Sequence, residues 1–71
     1  MIIYDPLWKT MADKKVSKYR LQKHGIALYT LQRMKKGGYH VTTRTLDDLC
    51  KILDCNVEDI VKYVKEEQKE D

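Results

Sequence analysis

The chain has 71 residues, of which 42% are hydrophobic and 35% are charged. A domain this short buries only about 60% of the surface of its unfolded chain, which excludes a Rossmann sheet, a barrel or a two-domain enzyme. The apolar runs are only a few residues long, and the N-terminus lacks the basic start and apolar stretch of a secretion signal. We therefore expect a globular cytoplasmic protein without a membrane span.

The net charge of +3 is unevenly distributed along the chain. Residues 1–36 carry nine Lys and Arg against two Asp, whereas residues 37–71 carry five Lys and Arg against nine Asp and Glu. This split predicts one face suited to a polyanion, although solvated lysines on helix surfaces would produce a similar count.

The two cysteines do not predict a metal site. A structural zinc site needs four ligands, and only His24 and His40, at unrelated spacing, could join Cys50 and Cys55. Both cysteines occupy apolar positions of a helical pattern, which favours reduced, buried thiols. We expect no cofactor.

Local signals divide the chain into five predicted helices. Asp5-Pro6 begins the first, which ends near residues 13–15, and Ser17 is the predicted N-cap of the second, Lys18–Lys23. The third spans about Leu28–Lys35 and ends at Gly37-Gly38. Thr42 caps the fourth, and Asn56, with Asp59 three residues on, begins a fifth over Val57–Lys65. No strand is predicted, and the apolar-free segment 66–71 is expected to form a flexible charged tail.

Helices two and three are separated by a short turn that contains Gly25. Glycine permits a sharp turn, and Ile26 after it can anchor the turn to the core. Leu31 and Met34 give the third helix an apolar inner face, which leaves its other face free. Residues 17–35 are therefore a helix-turn-helix candidate, although a glycine between two short helices is by itself a common feature.

The wider pattern is more specific. It comprises residues 17–21, 25–26, 30–36 and 41–60, with TLDDLCKILDC at Thr45–Cys55 and VEDI at Val57–Ile60 as the most distinctive segments. Over about residues 2–65, the chain resembles the Cro/phage-repressor (XRE-type) helix-turn-helix family, in particular its short single-domain bacterial members. The resemblance implies a compact all-α domain of five helices over residues 1–65. It also implies a transcriptional regulator that binds double-stranded DNA as a homodimer, weak in solution or formed on DNA.

The resemblance also implies roles for particular residues. The recognition helix would be about residues 28–35, placed in the major groove, and Arg33 is the best candidate for a bidentate contact to guanine. Lys18 and the segment from Lys36 to Arg44 match regions that contact phosphate. The predicted DNA-binding residues are Lys18, Leu28, Tyr29, Thr30, Gln32, Arg33, Lys35, Lys36 and Arg44. Ala27 stands where the family usually has a Ser or Thr cap, and Leu28 stands where a polar side chain is usual.

Two other functions stay open from the sequence. The same fold could be a protein-interaction module of the anti-repressor or antitoxin type, with Leu28 and Tyr29 as apolar anchors. Binding to single-stranded RNA is a weaker alternative, since only Tyr29 and Tyr39 are candidates for stacking on bases. No catalytic group of residues and no phosphate-binding loop is evident, so we expect neither an enzyme nor a small-molecule ligand.

Overall fold

Four α-helices, one 3-10 turn and a two-stranded sheet make up residues 1–65, the part of the chain that this computed structural model describes. In chain order these are β1 (Ile2–Ile3), α1 (Asp5–Lys14), α2 (Lys18–Lys23), α3 (Leu28–Lys36), α4 (Thr43–Leu53), the 3-10 turn (Val57–Asp59) and β2 (Lys62–Tyr63). The predicted tail, residues 66–71, lies outside the described residues. Within the described residues, no helix has the length and apolarity needed to cross a bilayer.

α1 begins one residue earlier than predicted. Tyr4 takes the N-cap position without a side-chain capping bond, and Asp5 is the first helical residue rather than the cap. Pro6 follows in the first turn, where its missing N–H has no intrahelical partner to lose. The carboxylate of Asp5 still lies at the positive end of the helix dipole.

The segment from α2 to α3 has the predicted form. The Ser17 hydroxyl accepts a hydrogen bond from the Arg20 backbone N–H at 3.3 Å, which caps α2. Gly25 has φ +104°, a conformation that other residues rarely adopt, and it turns the chain sharply. Ile26 is 4% exposed, and its N–H donates to the Leu21 carbonyl at 3.0 Å. The turn is thus attached to the core immediately before α3 begins.

Specific backbone and side-chain features define where α4 begins and where it ends. Thr42 accepts a hydrogen bond from the Thr45 N–H at 3.2 Å, as its N-cap position predicts. At the other end Asp54 is left-handed with φ 52°, and the Cys55 N–H donates back to the Cys50 carbonyl at 3.1 Å. The Asp54 N–H donates to the same Cys50 carbonyl, so two successive N–H groups share one acceptor and the helix ends in a left-handed turn.

The prediction of a fifth helix over Val57–Lys65 is wrong, and so is the prediction of a purely α-helical fold. Asn56 and Asp59 do begin a helical turn, since the Asn56 N–H donates to the Asp59 carboxylate at 3.0 Å. That turn ends at Asp59, and β2 then pairs antiparallel with β1, with Ile2 opposite Tyr63. The β-branched Val61 and Val64 flank β2 and favour an extended chain once a partner strand is present.

One apolar cluster holds these elements together. The helical spacing of apolar residues predicts eight core positions, of which Trp8 and Leu46 are only half-buried and pack against the edge of the core. The other six are buried: Leu21, Leu31, Met34, Leu49, Leu53 and Ile60. The buried residues come from every helix and from both chain ends: Tyr4, Leu7, Met11, Leu21, Ile26, Leu31, Met34, Leu49, Leu53 and Ile60. Because α3 contributes only Leu31 and Met34, most of its remaining surface faces outward.

Candidate nucleic-acid interface

The outward face of α3 is a polar stripe with two cations. Leu31 and Met34 point into the core, so side chains at helical spacing on the opposite side project from the protein. Four of the predicted residues share one open surface hollow along this side: Tyr29, Gln32, Arg33 and Lys36. We call these four residues the α3 stripe. It is the arrangement that a helix needs to contact a groove along its length.

A second group of predicted residues borders an apolar groove beside the α3 stripe. Leu28, Gln32 and Lys35 line this groove from α3, and Lys18 lines it from the start of α2. Its floor and far wall are apolar side chains, namely Trp8, Met11 and Leu31. Leu28 is therefore half-buried rather than a fully exposed apolar side chain. Gln32 belongs to both surfaces, so Lys18 and Lys35 adjoin the stripe.

Thr30 and Arg44 lie outside these two groups. Thr30 is half-buried on α3, on the side away from Leu28, and its N–H donates to the Ala27 carbonyl at 3.0 Å. Arg44 is exposed in the first turn of α4 and lines neither the groove nor the stripe. The structure thus brings seven of the nine predicted residues together and leaves these two at the margins.

Arg33 contacts two aromatic rings. Its guanidinium carbon lies 4.6 Å from the centre of the Tyr29 ring, one helical turn back, and 5.8 Å from the centre of the Tyr39 ring. Both distances allow cation–π attraction, which is worth about 0.5–1 kcal/mol at exposed sites. The Arg33 guanidinium is therefore held near the protein surface rather than extended into solvent.

Tyr39 was not among the predicted DNA-binding residues. It lies in the loop between α3 and α4, and its place beside Arg33 depends on the course of that loop. Gly37 and Gly38 both have positive φ, 89° and 73°, which turns the chain back along α3. The Gly-Gly pair was a usable sign of a sharp turn, but it did not indicate which side chain would return to the helix.

The cations of α3 have no carboxylate partners within the described residues. Neither the α3 stripe nor the groove includes an Asp or Glu, and the exposed Lys51–Asp47 pair at 3.3 Å lies on α4. Acidic side chains gather elsewhere, around α1 and the 3-10 turn, where Asp5, Asp13, Asp54, Glu58 and Asp59 line two further surface hollows. The positive side chains of the stripe therefore remain available to a polyanion.

The cysteines are free thiols, one in the last turn of α4 and one just after it, and both are half-buried rather than fully buried as predicted. Burial raises the pKa of Cys50, partly offset by a hydrogen bond with Cys55, and burial also raises the pKa of Cys55. Both thiols are thus less ionised at neutral pH than an ordinary cysteine, which makes them weaker nucleophiles. Among residues 1–65 there is no group of three or more His, Cys, Asp or Glu side chains placed to hold a metal ion.

The fold and the site together define a helix-turn-helix protein: two short helices joined by a glycine turn, with the second helix presenting a cationic outer face. The family model of the Cro/C1-type HTH DNA-binding domain matches residues 6–66. The match extends over most of the chain, which therefore belongs to this family, and the resemblance noted in the sequence is confirmed. No curated protein and no solved structure matches the chain.

Proposed function

We propose that this protein is a sequence-specific transcriptional regulator that binds double-stranded DNA with α3 in the major groove. The observation that carries the proposal is the α3 stripe, with Arg33 and Lys36 facing outward and no acidic residue among its members. The second helix of a helix-turn-helix is the one that enters the groove, and its outer side chains contact base edges. Membership of a DNA-binding family supports this placement.

Each residue of the interface has an expected task. Arg33 donates to a guanine edge and Gln32 to an adenine edge, while Lys18, Lys35 and Lys36 bind phosphate on either side of the groove. Tyr29, Thr30 and Leu28 contact the backbone or thymine methyl groups. Arg44, at the start of α4, binds a phosphate farther along the duplex. Occupying a promoter would suffice for repression, whereas activation would need a further contact with polymerase.

The apolar groove supports one alternative function. Trp8 and Leu28 form an apolar surface beside the stripe, with Lys18 and Lys35 at its rim. A protein partner that inserted an apolar side chain there would use the fold as an interaction module. The dependence of binding affinity on salt concentration distinguishes the two functions. Binding through phosphate contacts weakens steeply as the salt concentration rises, whereas binding through an apolar protein contact changes little.

Lys36→Ala tests the phosphate contacts. We expect it to weaken binding to a selected duplex and to a scrambled duplex alike, and to reduce the slope of log affinity against log salt by about 0.9. Fluorescence anisotropy titrations at several salt concentrations measure both quantities. Lys9→Ala is the matched control, since Lys9 is exposed on α1 among Asp5, Asp13 and Glu58 and should leave the slope unchanged. Equal slopes for both variants would show that Lys36 does not contact phosphate.

We also propose that the protein pairs as a homodimer through its chain ends. The β1–β2 sheet replaces the predicted fifth helix there, and Met1, Tyr63 and Val64 are exposed around it. This surface leaves α2 and α3 free, and two-fold pairing would double the DNA contacts. Sedimentation with and without a two-site duplex should show two protomers per duplex, and Val64→Asp should reduce that stoichiometry. One protomer per duplex in the wild type would contradict pairing.

A further inference from the structure

The Tyr4 hydroxyl links the start of α1 to the loop between α3 and α4. It donates a hydrogen bond to the Tyr39 carbonyl at 2.5 Å and accepts one from the Val41 N–H at 3.3 Å. Tyr4 is only 2% exposed, so its ring is fixed in the core. A single buried oxygen therefore holds the backbone on both sides of His40, far along the chain from Tyr4 itself.

The loop needs this link because its first two residues are glycines. Gly37 and Gly38 allow many backbone conformations, and a methyl group added at either position would meet open space rather than packed atoms. Tyr39 and Val41 also pack against the edge of the apolar core, but apolar contacts do not fix the direction of the backbone between them. The two hydrogen bonds made by the Tyr4 hydroxyl supply that directional restraint, and the Tyr39 ring lies 5.8 Å from the Arg33 guanidinium.

We propose that Tyr4 is a positioning residue for DNA discrimination: by holding the loop, it keeps the Tyr39 ring beside Arg33 and so orients the guanidinium that contacts the base. This inference rests on the proposed function. A bidentate contact to guanine requires the guanidinium plane to match the base edge, and aromatic rings against that plane restrict its rotation. Tyr4 itself touches no DNA, and its effect passes through Tyr39 to Arg33.

The test uses Tyr4→Phe, which keeps the buried ring and removes only the hydroxyl. We expect the ratio of affinities for the selected and scrambled duplexes to fall about two- to fivefold, the value of one exposed cation–π contact. Tyr39→Leu removes the ring itself and should reduce discrimination by the same factor. Tyr39→Phe retains the ring and should keep wild-type discrimination. The salt slope should be unchanged in all three variants, because no phosphate contact is removed.

NMR of the free protein tests the same link without DNA. Ring currents from Tyr29 and Tyr39 should displace the Arg33 side-chain resonances, and both Tyr4→Phe and Tyr39→Leu should move them toward values typical of free arginine. Thr10→Val is the matched control, since it removes a part-buried hydroxyl that donates to the Asp59 carbonyl at 2.7 Å, away from the loop, and it should change neither the Arg33 resonances nor the discrimination. Unchanged Arg33 resonances in Tyr4→Phe would overturn the proposal whatever the protein binds.

A double-mutant cycle separates positioning from general weakening of the fold. In an Arg33→Ala background, Tyr4→Phe should have no further effect on discrimination, because the residue through which it acts is gone. An equal loss in both backgrounds, or a gain of discrimination in Tyr39→Leu, would overturn the proposal. A wild-type protein that binds no duplex would overturn the proposed function, whereas normal discrimination in Tyr4→Phe would overturn this inference alone.

Discussion

Arg33→Ala is expected to lower affinity for the selected duplex by about 1–3 kcal/mol and to change affinity for a scrambled duplex little. The guanidinium lies on the α3 stripe, where a groove-bound helix meets base edges. Its fork of donors matches the two acceptors of guanine, and this pairing is lost with the wrong base. Arg33 is exposed, so the free energy of unfolding should change by only about 1 kcal/mol, through the lost ring contacts.

The measurement begins with selection of a preferred sequence from randomised duplexes, followed by titrations on that sequence and on a scrambled version. Arg33→Lys is the matched control, because it keeps the charge and removes the planar fork. It should retain affinity for scrambled DNA while losing discrimination. If Arg33→Ala weakens both duplexes equally, Arg33 is a phosphate contact. If neither Arg33→Ala nor Lys36→Ala affects binding, the placement of α3 in the groove fails and the protein-interaction alternative is favoured.

Leu49→Ala should destabilise the domain by about 2–5 kcal/mol, through lost apolar burial and the cavity that remains. Leu49 is 0% exposed and lies on α4, which packs against α1 and the 3-10 turn. A domain of 71 residues has a total stability of roughly 4–10 kcal/mol, so the loss is a large fraction of the whole. Part of the variant should be unfolded at ordinary temperatures and bind no DNA.

Urea denaturation followed by circular dichroism gives the free energy of unfolding for this comparison. Leu46→Ala is the matched control, since Leu46 lies one turn earlier on α4 and is only half-buried. We expect Leu46→Ala to cost clearly less than Leu49→Ala, because fewer of its contacts are internal. Equal costs for the two variants would contradict the orientation of α4 described above.

The helix-turn-helix itself could be predicted because its signals are local. Ser17 and Thr42 cap the helices that follow them, and Gly25 takes the left-handed turn that the sequence indicated. A capping oxygen and a glycine act on backbone within a few residues, so their effect does not depend on the rest of the fold. The boundaries of α2 are as predicted, and α3 extends only one residue further.

The sequence predicted the structure less well where the local preference of a segment competes with contacts to residues far away in the chain. Val57–Lys65 combines a helix start with β-branched residues, and the sequence alone favoured the helix. The pairing of β2 with β1 reverses that outcome, because Lys62 and Tyr63 gain strand partners from the opposite end of the chain. Leu28 is a similar case: its apolar character was evident, but the groove beside Trp8 that half-buries it forms only when α1 packs against α3.

The sequence by itself determined the family, the helix pair over about residues 18–35 and the cationic character of α3, since composition, spacing and caps are properties of short segments. Only the tertiary structure decided that Tyr4 holds the loop and that Tyr39 returns to Arg33. These contacts join residues that are separated along the chain, and no local pattern specifies which of them will meet. They form because burial of Tyr4 in the shared core places its hydroxyl beside the unpaired backbone of a glycine-led loop, where a buried polar group needs a hydrogen-bond partner.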